Sequence, residues 1–76
     1  MPRLKANARQ VIAVLERHGF VLHRHDGTSH RRYRGIVDGK VRYVDVAIHG
    51  MNVDIPTGTL NSIVRQSGLP KKLFRR

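Results

Sequence analysis

The chain has 76 residues, 39% of them hydrophobic, enough for one small core and too few for two domains. Fifteen Lys+Arg against five Asp+Glu give a formal net charge of +10, which calls for a polyanionic partner, nucleic acid ahead of an anionic membrane or an acidic protein. The absence of cysteine excludes disulfides, thiolate zinc sites and cysteine nucleophiles; with no membrane-length apolar run and no signal-peptide h-region, it makes the cytoplasm the expected location.

The first predicted element is a helix from about Asn7 to His18. Asn7 is a suitable cap and Gln10 stands three residues on, the spacing of a capping box. Ala8, Val11, Ile12 and Leu15 then recur at helical spacing and form one apolar face. Arg17 and His18 suit the negative end of the helix, Gly19 suits a left-handed C′ position, and Phe20 is placed to meet Leu15 in a Schellman ending.

Two Asp-Gly dipeptides follow, Asp26-Gly27 and Asp38-Gly39, each flanked by strand-like residues. Both central residues of a type I′ turn have positive φ, so Asp-Gly is a strong hairpin signal. Two-residue turns at both places predict three antiparallel strands with defined registers. In the second hairpin Tyr33 faces Val44, Arg32 faces Asp45 and His30 faces Ala47. In the first, Phe20 faces Tyr33, Val21 faces Arg32 and His23 faces His30. Opposed residues share a sheet face, so Phe20, Leu22, Tyr33, Val44, Val46 and Ile48 form a core wall. His23, His25, His30, Arg32, Arg34, Tyr43 and Asp45 occupy the other face, and Gly35 is a candidate bulge.

The last predicted element is a helix capped by Thr57 or Gly58, with Leu60, Ile63 and Val64 as its apolar stripe. Gly68 ends it, Leu69 is placed for a contact with Val64, and Pro70 prevents continuation. The expected fold is a two-layer α+β domain in the order α-β-β-β-α, with both helices on one face of a three-stranded antiparallel sheet. Residues 1–6 and 70–76 read as short basic tails of a single domain, the second a solubilising end in which Lys71, Lys72, Arg75 and Arg76 bracket Leu73 and Phe74.

Chemistry concentrates after the first turn, in Ser29-His30-Arg31-Arg32-Tyr33-Arg34. Metal-independent RNA cleavage needs a base for the 2′-hydroxyl proton and cations to offset charge on the phosphorane. A histidine, with an ordinary pKa near 6.5, suits the first task, and the planar fork of arginine suits the second. The alternative is a solvated basic strand on which His30 merely lies among positive charges. His49, one residue past Ile48, is a candidate general acid or phosphate contact, or else a loop histidine with no task. His23 and His25 have alternate spacing that could serve a metal, but nothing joins them and the positive charge opposes a cation, so no metal or cofactor is expected. Gly58 and Thr59 stand where a helix N-terminus can receive a phosphate, although capping alone explains them. Two Phe and two Tyr with no Trp make a thin supply for a base-stacking platform.

The helix, the Gly27-x-Ser29-His30 segment and the closing stretch Ile55-Pro56-Thr57-Gly58-Thr59-Leu60-Asn61-Ser62-Ile63-Val64-Arg65-Gln66-Ser67-Gly68-Leu69 resemble the HicA toxins of bacterial HicA–HicB toxin–antitoxin pairs, over roughly residues 7 to 70. The resemblance implies a fold like that of double-stranded-RNA-binding domains. It implies an mRNA interferase, a small endoribonuclease that arrests translation until a HicB-type antitoxin neutralises it. It places the catalytic histidine at His30 and matches His49 to a second histidine that often follows the third strand; the residue chemistry adds Ser29, Arg31, Arg32, Arg34, Gly58 and Thr59 to His49 as candidate RNA contacts. This sequence departs from many members in having Thr28 between the glycine and Ser29. Two further readings stand beside it: a non-catalytic RNA-binding module of the same fold, since double-stranded RNA is held largely through shape, 2′-hydroxyl and phosphate contacts, and a small basic protein whose anion is an acidic protein.

Overall fold

The computed structural model describes residues 5–27 and 29–74. Its elements run α1 (Ala8–Arg17), β1 (Val21–Asp26), β2 (His30–Val37), β3 (Lys40–Ala47) and α2 (Thr57–Ser67), followed by a 3₁₀ turn at Lys71–Phe74. The strands form one antiparallel sheet in the order β1-β2-β3. The α-β-β-β-α order is the predicted one.

Helix α1 begins and ends as its sequence requires. The Gln10 N–H donates to Asn7 Oδ1 and the Asn7 N–H donates to Gln10 Oε1, each at 2.9 Å, closing the capping box. At the other end the Phe20 N–H donates to the Leu15 carbonyl at 2.9 Å and the Gly19 N–H to the Glu16 carbonyl at 3.1 Å. Those two bonds are the Schellman pair, and they turn Phe20 into the core. Helix α2 differs at its start. Pro56 occupies the N-cap with no side-chain bond, so neither Thr57 nor Gly58 caps the helix; both lie inside its first turn. Gly68 closes it in the left-handed region, as expected.

The second hairpin has the predicted register throughout, from His30↔Ala47 to Val37↔Lys40. Asp38 (φ 52) and Gly39 (φ 78) supply the two positive-φ positions of its turn. The first hairpin does not follow the same rule. Asp26 is the last residue of β1 and pairs with His30, leaving residues 27–29 as a three-residue connection; Thr28 lies outside the described residues. The partners of β1 are therefore Val21↔Arg34 and Leu22↔Tyr33, then Arg24↔Arg32 and His25↔Arg31, with an irregularity between Leu22 and Arg24. An extra residue in one strand reverses the side-chain alternation beyond it. His23 consequently does not face His30, and His25 falls in the helix-side row opposite Arg31 while Arg24 joins the outer row.

The bulge thus sits at His23 and not at Gly35, where pairing is unbroken. Gly35 answers a packing demand instead. A Cβ there would lie 2.6 Å from Cγ of Phe20, so the phenyl ring rests directly on this stretch of backbone. Phe20 is accordingly a core residue delivered by the Schellman turn, not a strand residue paired with Tyr33.

The core gathers Val11, Ile12 and Leu15 of α1, Leu60 and Ile63 of α2, Phe20, and Tyr33, Val44 and Val46 of the sheet. Ile48 packs against it half-buried, whereas Leu22, at the sheet edge, is 49% exposed and adds little to the wall. The fold also reaches further into both tails than expected. The Ala6 carbonyl accepts a bond from the Ile55 N–H at 2.9 Å, and Lys71–Phe74 coils so that Phe74 is buried in the same core. Phe74 and the partly buried Leu73 bring apolar surface into the core, and that burial offsets part of the entropy lost in ordering the segment. Residues 1–4, 75 and 76 lie outside the described residues. Among the described residues no helix is long and apolar enough to cross a membrane.

Candidate active site

Strand β2 places His30, Arg32 and Arg34 in its outer row, because Tyr33 and Gly35 take the alternate positions against the core. Pairing brings Asp45 opposite Arg32 on β3 and Arg24 opposite Arg32 on β1. An open depression of about 250 Å³ results, lined by Arg24, His30, Arg31, Arg32 and Asp45. His30 is exposed, and its side chain makes no hydrogen bond among the described residues. Both nitrogens of its imidazole are thus free for a ligand.

Arg32 is held on two sides. Its Nε donates to Asp45 Oδ1 at 2.8 Å and its Nη2 to Oδ2 at 3.4 Å. Its guanidinium carbon stands 5.8 Å from the centre of the Tyr43 ring, and that ring meets His23 edge-on at 5.4 Å. Asp45 is held in turn from behind the sheet edge, where its backbone N–H donates to Gln66 Oε1 of α2 at 3.0 Å. A fork-like pair between arginine and carboxylate uses the geometry that a phosphate would use. Both side chains are about half exposed, so the pair is worth only about 0–1 kcal/mol and an incoming phosphate can displace it.

The other predicted residues divide. Ser29, half-buried in the turn, accepts a bond at its carbonyl from the Ile48 N–H at 2.7 Å, which ties the loop after β3 to the residue before His30. His49 does not join the His30 depression. It lines a separate small hollow with Ala8, Ala47, Gly50 and Pro56. Arg34 lies four residues up β2 from His30, between Val21 and Tyr43. Gly58 and Thr59 are exposed in the first turn of α2 and line neither hollow. Arg24, which lines the depression, was not among the sequence candidates. It reaches the outer row only because of the bulge at His23, and nothing in the residue types of β1 announces that bulge.

The arrangement is that of a small basic domain presenting a free imidazole among guanidinium groups on an open sheet. A sequence-family comparison matches residues 8–69 to the family described as the HicA toxin of bacterial toxin–antitoxin systems. The match spans most of the chain, and the protein belongs to this family. It is therefore a toxin of a toxin–antitoxin pair, and an antitoxin is its implied partner. Comparison with curated proteins and with solved structures gives no match.

Proposed function

We propose that this toxin is a metal-independent endoribonuclease that cleaves mRNA and so arrests translation, with His30 as general base, and that a HicB-type antitoxin neutralises it. The observation that carries the reading is the unpartnered His30 imidazole in one depression with Arg24, Arg31 and Arg32. In the proposed reaction the neutral imidazole takes the proton of an RNA 2′-hydroxyl. The 2′-oxygen then bonds to the adjacent phosphorus as the bond to the 5′-oxygen breaks, and the departing oxygen takes a proton from the solvent-open side. The products are a 2′,3′-cyclic phosphate and a 5′-hydroxyl.

The arginines carry the electrostatic part. Charge builds on the non-bridging oxygens as phosphorus becomes five-coordinate, and guanidinium groups held in place beforehand stabilise that charge without reorganising. Arg31 and Arg34 have no ion pair among the described residues, so they are open to phosphates along the strand. Arg32 exchanges Asp45 for phosphate when RNA enters.

The test compares wild type with His30→Ala on one RNA. A missing general base costs 10²–10⁴-fold, so cleavage by the variant is expected to fall at least a hundredfold while its RNA affinity stays within about threefold. Cleaved ends carrying a cyclic phosphate, formed equally in the presence of a chelator, support the route. Equal cleavage by both proteins, or protection of RNA with no cleavage by either, overturns it and leaves an RNA-binding module.

A further inference from the structure

The outer face of the sheet has two halves of different chemistry. One holds His30, Arg24, Arg32 and Asp45. The other, toward the β2–β3 turn, holds Val21, Ile36, Val41 and Tyr43, which are 61%, 59%, 47% and 44% exposed. Ile36 and Val41 are direct partners across β2 and β3, and Arg34 stands between Val21 and Tyr43 in the same outer row. These four are most of the large exposed apolar side chains among the described residues; the others are Leu22 and Val53. Both helices pack on the opposite face, so no described element covers this patch.

A chain of this size with an apolar core already formed has no internal use for four clustered apolar groups in water, and such clusters mark contact surfaces. RNA is a poor occupant. The backbone of RNA offers charge and hydroxyls to cations and polar groups, and the patch has a single aromatic ring where stacking would want several. A protein surface fits better: an apolar centre containing Tyr, with Arg34 at its middle and further arginines beside it, has the make-up of a protein–protein contact core. We infer that this half of the sheet is the anchoring surface for the antitoxin, which presents apolar side chains to Ile36, Val41 and Val21 and a carboxylate to Arg34.

The placement has a mechanical consequence. Ile36 lies six residues along β2 from His30, about 20 Å at the usual rise of a strand. A partner anchored at Ile36 and Val41 grips residues that take no part in cleavage, and Tyr43 connects its footprint to Arg32 and so to the basic half. Neutralisation then has an anchor and a cover: affinity comes from the apolar end, and the remainder of the antitoxin extends over His30. The antitoxin partner is implied by family membership; the covering of His30 rests on the proposed ribonuclease activity, but the anchor does not.

The experiment measures complex formation and cleavage separately, using the full-length toxin and the purified antitoxin of its own pair. Ile36→Lys and Val41→Lys keep the basic character of the face and replace exposed side chains, and circular dichroism checks that each variant is folded. Each is expected to weaken the complex at least thirtyfold by calorimetry while RNA cleavage stays within twofold of wild type. Val53→Lys, a change at an equally exposed apolar residue in the loop after β3, serves as the control and is expected to leave the complex within twofold. Unchanged affinity in both strand variants, or equal weakening by Val53→Lys, overturns the inference. A toxin that dimerises alone and becomes monomeric on Ile36→Lys also overturns it, because a second copy is then the occupant. Absence of cleavage in the wild type would refute the ribonuclease and leave the binding result to stand by itself.

Discussion

Asp45 is one of only five acidic residues in the chain, and it stands in a hollow otherwise lined by three arginines and His30. Its carboxylate occupies the fork of Arg32, so it competes with the phosphate that the hollow is proposed to receive. Removing that charge frees the guanidinium and raises the net charge by one. Asp45→Asn, made in the His30→Ala background so that RNA stays intact, is expected to tighten RNA binding about three- to tenfold at low salt, in keeping with one exposed charge pair. Fluorescence anisotropy against a labelled RNA measures this directly. Weaker binding would show that the carboxylate chiefly orders Arg32. His30 and the arginines beside it could be read from the chain as a chemical cluster because they are consecutive. The partner of Arg32 could be read too, since a two-residue turn at Asp38-Gly39 leaves one register. Arg24 could not, because its position depends on where a strand is irregular.

Between elements, the joint of α1 with the sheet is made by Phe20 and Gly35. The Schellman turn aims the ring and the missing side chain of Gly35 receives it. Gly35→Ala puts a methyl within 2.6 Å of the ring, and overpacking of this kind costs about 1–3 kcal/mol. For a domain of this size that corresponds to a fall in melting temperature of roughly 4–24 °C, read from a thermal scan; a variant as stable as wild type would mean that the ring shifts without cost. The sequence marks Gly35 as exceptional within a strand but does not say why. A glycine in a strand signals either a bulge or a close approach, and only the position of Phe20 decides between them. The first hairpin teaches the same lesson about turns. Asp26-Gly27 has the composition of a two-residue turn, yet Asp38 is the only non-glycine residue with positive φ among those described. Asp26 stays in the strand, and the bulge at His23 takes up one residue of the resulting shift, so that Tyr33 meets Leu22 and not Phe20.

For the whole molecule, the +10 charge makes the proposed RNA binding weaken steeply with salt, since cations on the protein displace counterions from phosphate. Arg31→Ala should lower the slope of log affinity against log salt by about 0.7–0.9, one phosphate contact, when binding is titrated across salt concentrations. An unchanged slope would remove Arg31 from the interface. The length, charge and absence of cysteine by themselves set the expectation of a single small domain and called for an anionic partner. The capping box of α1, the apolar stripe and Gly68 ending of α2, and the Asp38-Gly39 turn by themselves determined the two helices and the β2–β3 register, because these signals act over a few residues of backbone. Tertiary structure alone decided the rest: which residue of β1 faces His30, why Gly35 is glycine, that Phe74 is core, and that the outer face is basic at one end and apolar at the other. Those outcomes depend on contacts between residues far apart in the chain, where packing and strand irregularity outweigh local preference.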